Sequence, residues 1–201
     1  MDHKLKVIGV VLAGGESRRF GSPKLFAEWG GATFFEKALN TITPFSDELV
    51  AVVRKEWIGS LERKHSHSVE IISDVESFKG KGPLAGIYSA MMRTKGDYYL
   101  ITPCDMPRMS SGMYKKWLET AFEHPMYDCI VPVLNGKVYP LNGIYKRSCL
   151  HEMKENLMKD NLKVLSLLSR KNTKYIEVRK EEAHFFENVN TKEDLLNLRD
   201  E

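Results

Sequence analysis

The stretch Leu5 to Lys24, LKVIGVVLAGGESRRFGSPK, carries the reading of the whole chain. It opens on a continuous apolar run, Val7-Ile8-Gly9-Val10-Val11-Leu12. So short a run, rich in β-branched residues, predicts a strand buried on both faces, the state of a central strand in a parallel sheet. The run stops at Ala13-Gly14-Gly15, where no side chain larger than a methyl stands between backbone N–H groups and a ligand. Glycine permits both a tight turn and a close approach there. Arg18, Arg19 and Lys24 follow, with Gly21 between them.

A glycine turn leaving the carboxyl end of a parallel strand, backed by cations, is where an open α/β sheet binds phosphates. The loop matches neither of two common phosphate-binding patterns. GxxxxGK[ST] requires Lys and a hydroxyl residue directly after the second glycine, whereas Gly21 is followed by Ser22-Pro23-Lys24. GxGxxG fails because Gly14 and Gly15 are adjacent. Pro23 also keeps a helix from starting at the glycines, so the loop is longer and more open than either. A surface turn with solvated charges is the alternative. The coincidence of glycines, cations and a strand end argues against it.

The rest of the composition sets bounds on this reading. The chain has 201 residues, 42% apolar and 28% charged, with a net charge of +3. That is ordinary for one globular domain with a single core. The charges are scattered, with no basic arm of the kind that holds nucleic acid, so the positive loop suits a small polyanion. The apolar run near the start is too short for a signal peptide, and no stretch reaches the length of a membrane span. Cys104, Cys129 and Cys149 are odd in number and lack a CxxC spacing, so neither a disulfide framework nor a zinc site is expected. A cytoplasmic location is the expectation.

Along the chain, strands and helices alternate. Thr33 is placed to cap a helix bearing Phe34, Phe35, Ala38, Leu39 and Ile42, ended by Pro44. Leu49–Val53, Val69–Ile72 and Tyr98–Thr102 read as further buried strands, with helices over 56–65 and 84–93 between them. This is the rhythm of βαβ units around a mostly parallel sheet, an α/β fold with a Rossmann-like three-layer arrangement. In the second half, 110–122 reads as a helix and Cys129–Val133 as a strand. Asn135-Gly136 is a hairpin turn with Val138–Tyr145 as its return strand. Helices follow over 148–159 and 161–169, the second amphipathic through Leu162, Leu165 and Leu168. A strand is expected at Tyr175–Val178, then a terminal helix with Thr191 as N-cap and Asp194 completing a capping box. Phe34, Phe35, Met91 and Trp117 read as core, and His65 and His67 as solvated residues of a polar loop.

Asp105 is the strongest single candidate for chemistry. It stands just past a buried strand, between Pro103 and Pro107, where a carboxylate can hold Mg²⁺ beside phosphates gripped by the first loop. The competing role is to cap the following helix. Its neighbour Cys104 has no His in a recognisable partner pattern, which favours a packing role over that of a nucleophile. Asp74 and the run Lys79-Gly80-Lys81-Gly82-Pro83-Leu84-Ala85-Gly86 form a second strand-end site, beside a helix start favourable to anions. Asp74 either accepts hydrogen bonds from a base or ribose or is a plain turn residue. Asn188 and Asn190, near the last helix, either complete a metal or phosphate shell or serve the turn.

Together LAGGESRRFGSPK, GPLAGI, TPCDMP and NVNTKEDL resemble the molybdenum cofactor guanylyltransferases, the MobA-like branch of the GT-A-type nucleotidyltransferases. The resemblance runs from about Val7 to Leu198. It implies the nucleotide-diphospho-sugar transferase type of fold in a single domain over 1–201. About 1–108 would be the nucleotide-binding half and about 109–201 the acceptor-binding half. It implies transfer of GMP from GTP to the phosphate of Mo-molybdopterin, with release of pyrophosphate and formation of the guanine dinucleotide cofactor. Carried over by position, Leu12, Ala13 and Gly14 would contact the nucleotide, and Gly15 and Arg19 its phosphates. Lys24 would offset charge on the α-phosphate, Asp74 would contact the guanosine, Asp105 would bind Mg²⁺, and Asn190 would line the catalytic centre. Gly82, in GPLAGI, would belong to the nucleotide site. The implied partners are the small-molecule substrates GTP and molybdopterin and other cofactor-assembly or acceptor proteins. Two positions depart from the family pattern: Phe20 replaces the usual Met, and Ala51 or Val53 stands where some members have an Asn that touches the nucleotide. The nearest alternatives are a molybdopterin cytidylyltransferase and a nucleotidyltransferase for a sugar or polyol phosphate. A non-catalytic GTP-binding assembly protein is a third, and the absent GxGxxG removes an NAD-dependent dehydrogenase.

Overall fold

The computed structural model describes residues 4–65 and 68–198, so His67 lies outside the described residues. In chain order the elements are β1 (Val7–Ala13), β2 (Glu28–Trp29), β3 (Ala32–Thr33), α1 (Phe34–Ile42), β4 (Glu48–Val53), α2 (Ile58–His65), β5 (Glu70–Ile72), α3 (Gly82–Arg93) and β6 (Tyr98–Pro103). Then come α4 (Ser111–Glu123), β7 (Cys129–Leu134), β8 (Lys137–Val138), β9 (Gly143–Lys146), α5 (Leu150–Met158), α6 (Val164–Leu168), β10 (Thr173–Glu177) and α7 (Lys192–Asn197), with short 3-10 turns between.

β1 lies inside an eight-stranded sheet ordered β10-β7-β9-β6-β1-β4-β5, with β8 paired to β7. Its neighbours β4 and β6 both run parallel to it, Val10 facing Val50 on one side and Ile101 on the other. The apolar run is buried because helices cover both faces of the sheet. Val7, Val11 and Ala13 pack with α1 and α4, while Ile8 and Val10 pack with α3 and α5. Full burial of each Val or Ile side chain is worth about 1.5–3 kcal/mol, which makes this strand the anchor of both cores. Gly9 is required by close approach: a Cβ there would stand 2.4 Å from Ser46 Oγ and 2.7 Å from Leu49 Cδ2.

From β1 the chain steps outward to β4 and β5, then returns to the opposite side of β1 as β6. The strand order therefore reverses between β1 and β6, and a crevice opens past the carboxyl ends of strands at such a point. The sheet is mixed because β9 is antiparallel to both β6 and β7, while β10 is parallel to β7. The helix starts follow their caps. Thr33 Oγ1 accepts from Glu36 N (3.2 Å) while Glu36 Oε2 accepts from Thr33 N (2.8 Å), and Thr191 with Asp194 repeats the arrangement at α7.

Several expectations are corrected. The return strand after Asn135-Gly136 is broken: between the pairs Val133–Val138 and Ile130–Ile144, three steps along β7 face six along the returning chain. Pro140 has no N–H to continue the ladder, and the extra residues bulge out, carrying Leu141 to the crevice. The helix expected over 161–169 is only α6. It buries Val164, Leu167 and Leu168 and leaves Leu165 half exposed. His65 ends α2 with its ring against Phe35, centroids 5.3 Å apart, and is not in a solvated loop. The ribbon β2–β3, turned by Gly30-Gly31, carried too few residues for its alternation to be legible.

Candidate active site

A cleft of about 1230 Å³ opens past the carboxyl ends of β1, β4, β5 and β6. Leu12 to Gly15, Arg19 and Lys24 line it from the first loop, Asp74 and Gly82 from the loops past β5, and Asp105 and Asn190 beyond β6. β5 and β6 are three strand spacings apart, ~14 Å, the span of a nucleotide rather than of a lone ion.

The glycine pair lines the cleft and is not required by the turn. Gly14 and Gly15 do not take positive φ. A Cβ at Gly15 would meet nothing within 4 Å, and one at Gly14 would make only ordinary contact at 3.9 Å. Nothing in the fold demands glycine at Gly15, and the space beside its backbone stands open to the cleft. The tight turn lies further on, where Ser17 (φ 51°) and Gly21 (φ 78°) take left-handed conformations. Ser17 O accepts from Phe20 N and Gly21 N, and its Oγ accepts from Lys24 N (3.1 Å). Lys24 then begins a 3-10 turn after Pro23. The loop is thus a folded bridge from β1 to Lys24, with Phe20 buried beneath it against Phe34 and Val189.

At its end Lys24 Nζ donates to Asp105 Oδ2 (3.1 Å), Asn190 Oδ1 (3.1 Å) and Val189 O (3.0 Å). An ammonium has three donors, and all three are engaged. The surrounding backbone fixes this junction. Val189 N donates to Asp105 O (2.9 Å), and Asp194 Oδ2 accepts from Asn190 N (2.7 Å) and Thr191 N (2.9 Å). Those two backbone N–H groups hold the Asp194 carboxyl below the usual carboxylate range. Asp105 does not cap α4, because Ser110 does, accepting from Gly112 N. Cys104 is buried beside it, and burial together with the Asp105 charge pushes its thiol up to about 12, too high for a thiolate nucleophile at neutral pH.

Asp74 sits in a different environment. Desolvation by burial raises its carboxyl above the usual range, opposed by the hydrogen bond that Gly80 N donates to Oδ2 (3.1 Å). The backbone beside it is pinned because Val75 N donates to the buried Ser89 Oγ (2.9 Å), which donates to Ala85 O. Gly86 lets α3 come close, since a Cβ there would stand 3.1 Å from Leu12 Cδ2. Gly80 and Gly82 both take positive φ.

Asn188 is exposed and does not reach the cleft. Lys79, from the run expected beside Asp74, also lines the cleft, whereas sequence reasoning missed Ser17, Arg54 and Lys55 as lining residues. Arg54-Lys55 carried the same signal as the first loop, cations directly after a buried strand. Arg18 and Arg54 turn to local acidic partners, Glu16 and Glu56. Among the described residues no group of three or more His, Cys, Asp and Glu gathers as a self-sufficient metal cage, and no helix is long and apolar enough to cross a membrane.

Residues 9–174 match the model of the MobA-like NTP transferase domain. A Bacillus cytotoxicus protein named "Probable molybdenum cofactor guanylyltransferase" is 35% identical over 198 residues, covering 96% of each chain. A Bacillus cereus protein of the same name is 38% identical over 192 residues, covering 94% of each. Among solved structures, the molybdopterin-guanine dinucleotide biosynthesis protein A of Archaeoglobus fulgidus superposes with a TM-score of 0.78 at 26% identity, over 94% of this chain and 95% of that one.

Proposed function

We propose that this chain, which belongs to the MobA-like NTP transferase family, transfers GMP from GTP to the phosphate of Mo-molybdopterin and releases pyrophosphate. One observation carries the reading. A glycine loop with space at its backbone meets a Lys–Asp–Asn junction within one nucleotide-sized cleft. The names of its curated relatives supply the identity of nucleotide and acceptor.

In this reading the nucleotide lies along the cleft. Its base is towards Asp74, whose carboxylate accepts from base N–H groups, and Gly82 lets the backbone of the α3 start come close. Leu12 and Ala13 pack against the nucleoside. Gly14 and Gly15 turn backbone N–H groups to the phosphates, and Arg19 adds a cation at the exposed side. Lys24 donates to the α-phosphate oxygens, where charge builds as the acceptor phosphate attacks in line and pyrophosphate departs. A phosphate dianion is already a nucleophile, so no covalent intermediate or strong base is needed, consistent with the inert Cys104 thiol. Asn190 orients groups at the same junction.

The donor set also fits Mg²⁺, which is usually held by one or two carboxylates plus phosphate oxygens rather than by an all-protein cage. Asp105 would hold it, with the Asn190 amide oxygen near enough to share, and it would supply positive charge to the phosphates. The acceptor would enter from the half that follows β6, past the Leu141 bulge. The chain acts as one domain, in the cytoplasm, and passes its product to other cofactor-assembly or acceptor proteins.

The test is nucleotide selectivity with turnover: binding of GTP, CTP, ATP and UTP by calorimetry, then pyrophosphate release with molybdopterin. GTP preference and GTP-dependent release are expected. CTP preference would replace the guanylyltransferase with a cytidylyltransferase, and absence of nucleotide binding would overturn the reading of the loop.

A further inference from the structure

Three oxygens of three kinds, the Asp105 carboxylate, the Asn190 amide and the Val189 carbonyl, surround Lys24 Nζ at 3.0–3.1 Å. They come from two distant segments, beyond β6 and before α7, and the Lys24 side chain between them is only 12% exposed. Hard oxygens converging on one point are what a divalent cation takes. Here that point is held by the protein's own ammonium, with every N–H engaged. Lys24 therefore cannot donate to a phosphate without leaving these oxygens, and a metal cannot take them while the ammonium stays.

From this we infer that Lys24 is a placeholder cation: it occupies the metal position at Asp105 in the free protein and moves onto the phosphates when the nucleotide binds, so that metal binding is coupled to nucleotide binding. The inference rests on the proposed nucleotidyl transfer and adds to it an exchange of cations. Two effects drive the coupling. The ammonium neutralises Asp105, removing the charge that would attract a metal, and its own charge repels a second cation a few ångströms away. Triphosphate offers Lys24 a better partner and brings the metal with it, and by reciprocity the metal strengthens nucleotide binding by the same factor. The junction never stands as an unpaired, partly buried carboxylate. That state would be costly beside the buried Cys104 and Val189.

The experiment is a Mn²⁺ titration of the full chain without nucleotide, read by electron paramagnetic resonance of free Mn²⁺. Wild type should bind weakly. Lys24→Met should bind Mn²⁺ about tenfold tighter or more, Lys24→Arg should stay weak because it keeps the cation, and Lys24→Met with Asp105→Asn should lose the gain. Lys24→Gln, which retains N–H donors for the 189–190 segment while removing the charge, carries the test if Lys24→Met does not fold. A folded Lys24→Gln or Lys24→Met protein that binds Mn²⁺ no tighter than wild type overturns the inference, as does a gain that survives Asp105→Asn. Since no nucleotide is present, this failure is separate from failure of the proposed reaction, which the selectivity measurement decides.

Discussion

The two ends of the cleft hold a carboxylate each, and they hold it in opposite ways. Asp105 is fixed by partners far away in the chain: Lys24, 81 residues before it, and the Val189–Asn190 segment that Lys24 also grips. Asp74 is fixed locally, by the N–H of Gly80 six residues on, with its backbone braced by Ser89 through Val75. The first end pairs charge with charge. The second partly buries a carboxyl with one N–H donor, and burial raises its pKa. In the proposed reaction, electrostatics at the Asp105 end would serve a reacting phosphate, where charge changes during the reaction. A poorly solvated acceptor at the Asp74 end would, in the same proposal, serve recognition, because a ligand N–H that fits replaces water it has lost. The division predicts different kinetic signatures for the two ends.

The largest effect should come from Asp105→Asn. Pyrophosphate release should fall about 10³-fold, the upper end of what losing one oxyanion donor costs, while circular dichroism shows a folded chain. Substantial turnover in the folded variant would break the assignment of chemistry to this end. Lys24→Ala should lower kcat about 10²-fold and raise the KM for GTP far less. The reverse split would move Lys24 from the reaction to binding.

Gly15→Ala separates ligand space from fold. The added methyl meets nothing in the protein, so Tm should hold, while the KM for GTP rises about tenfold, the equivalent of 1.4 kcal/mol. A fall in Tm without a change in KM would return the glycine to the turn.

Asp74→Asn should give the smallest loss, a severalfold rise in the KM for GTP with kcat kept, and it should change stability with a definite sign. Because burial raises the folded-state pKa of Asp74, the native state holds its proton to higher pH than the unfolded chain does. Stability therefore falls as pH rises from the ordinary carboxylate value, about 3.9, through the raised one. Asp74→Asn removes that penalty: its Tm should exceed wild type at pH 7, and the difference should vanish below the ordinary value. A variant less stable than wild type at pH 7 would make the Asp74 carboxylate a structural anchor.

Legibility followed the same division. The Asp74 loop, the capping boxes at Thr33 and Thr191 and the strand–glycine–cation stretch are contiguous, and contiguous patterns can be read from residue order. The bulge that brings Leu141 to the cleft could not be read, because it depends on a register shared between β7 and two other strands. Lys55 lines the cleft because β4 ends beside β1, a neighbour relation that no local pattern states. The leucine spacing over 161–169 predicts one apolar helix face, whereas the helix spans only Val164–Leu168 and Leu165 is turned to solvent.

By itself the sequence determined the alternation of strands and helices, the buried central strand, the glycine loop, and the residue types that a phosphate and a metal would need. Those follow from periodicity and side-chain chemistry, which are properties of short stretches. Only the tertiary structure decided that Lys24, Asp105 and Asn190 meet at one point, with the Lys24 ammonium donating to all three oxygens there, that of Val189 included. Their meeting depends on the reversal of strand order between β1 and β6 and on the return of the chain before α7, and distances between residues 81 and 166 positions apart are set by packing.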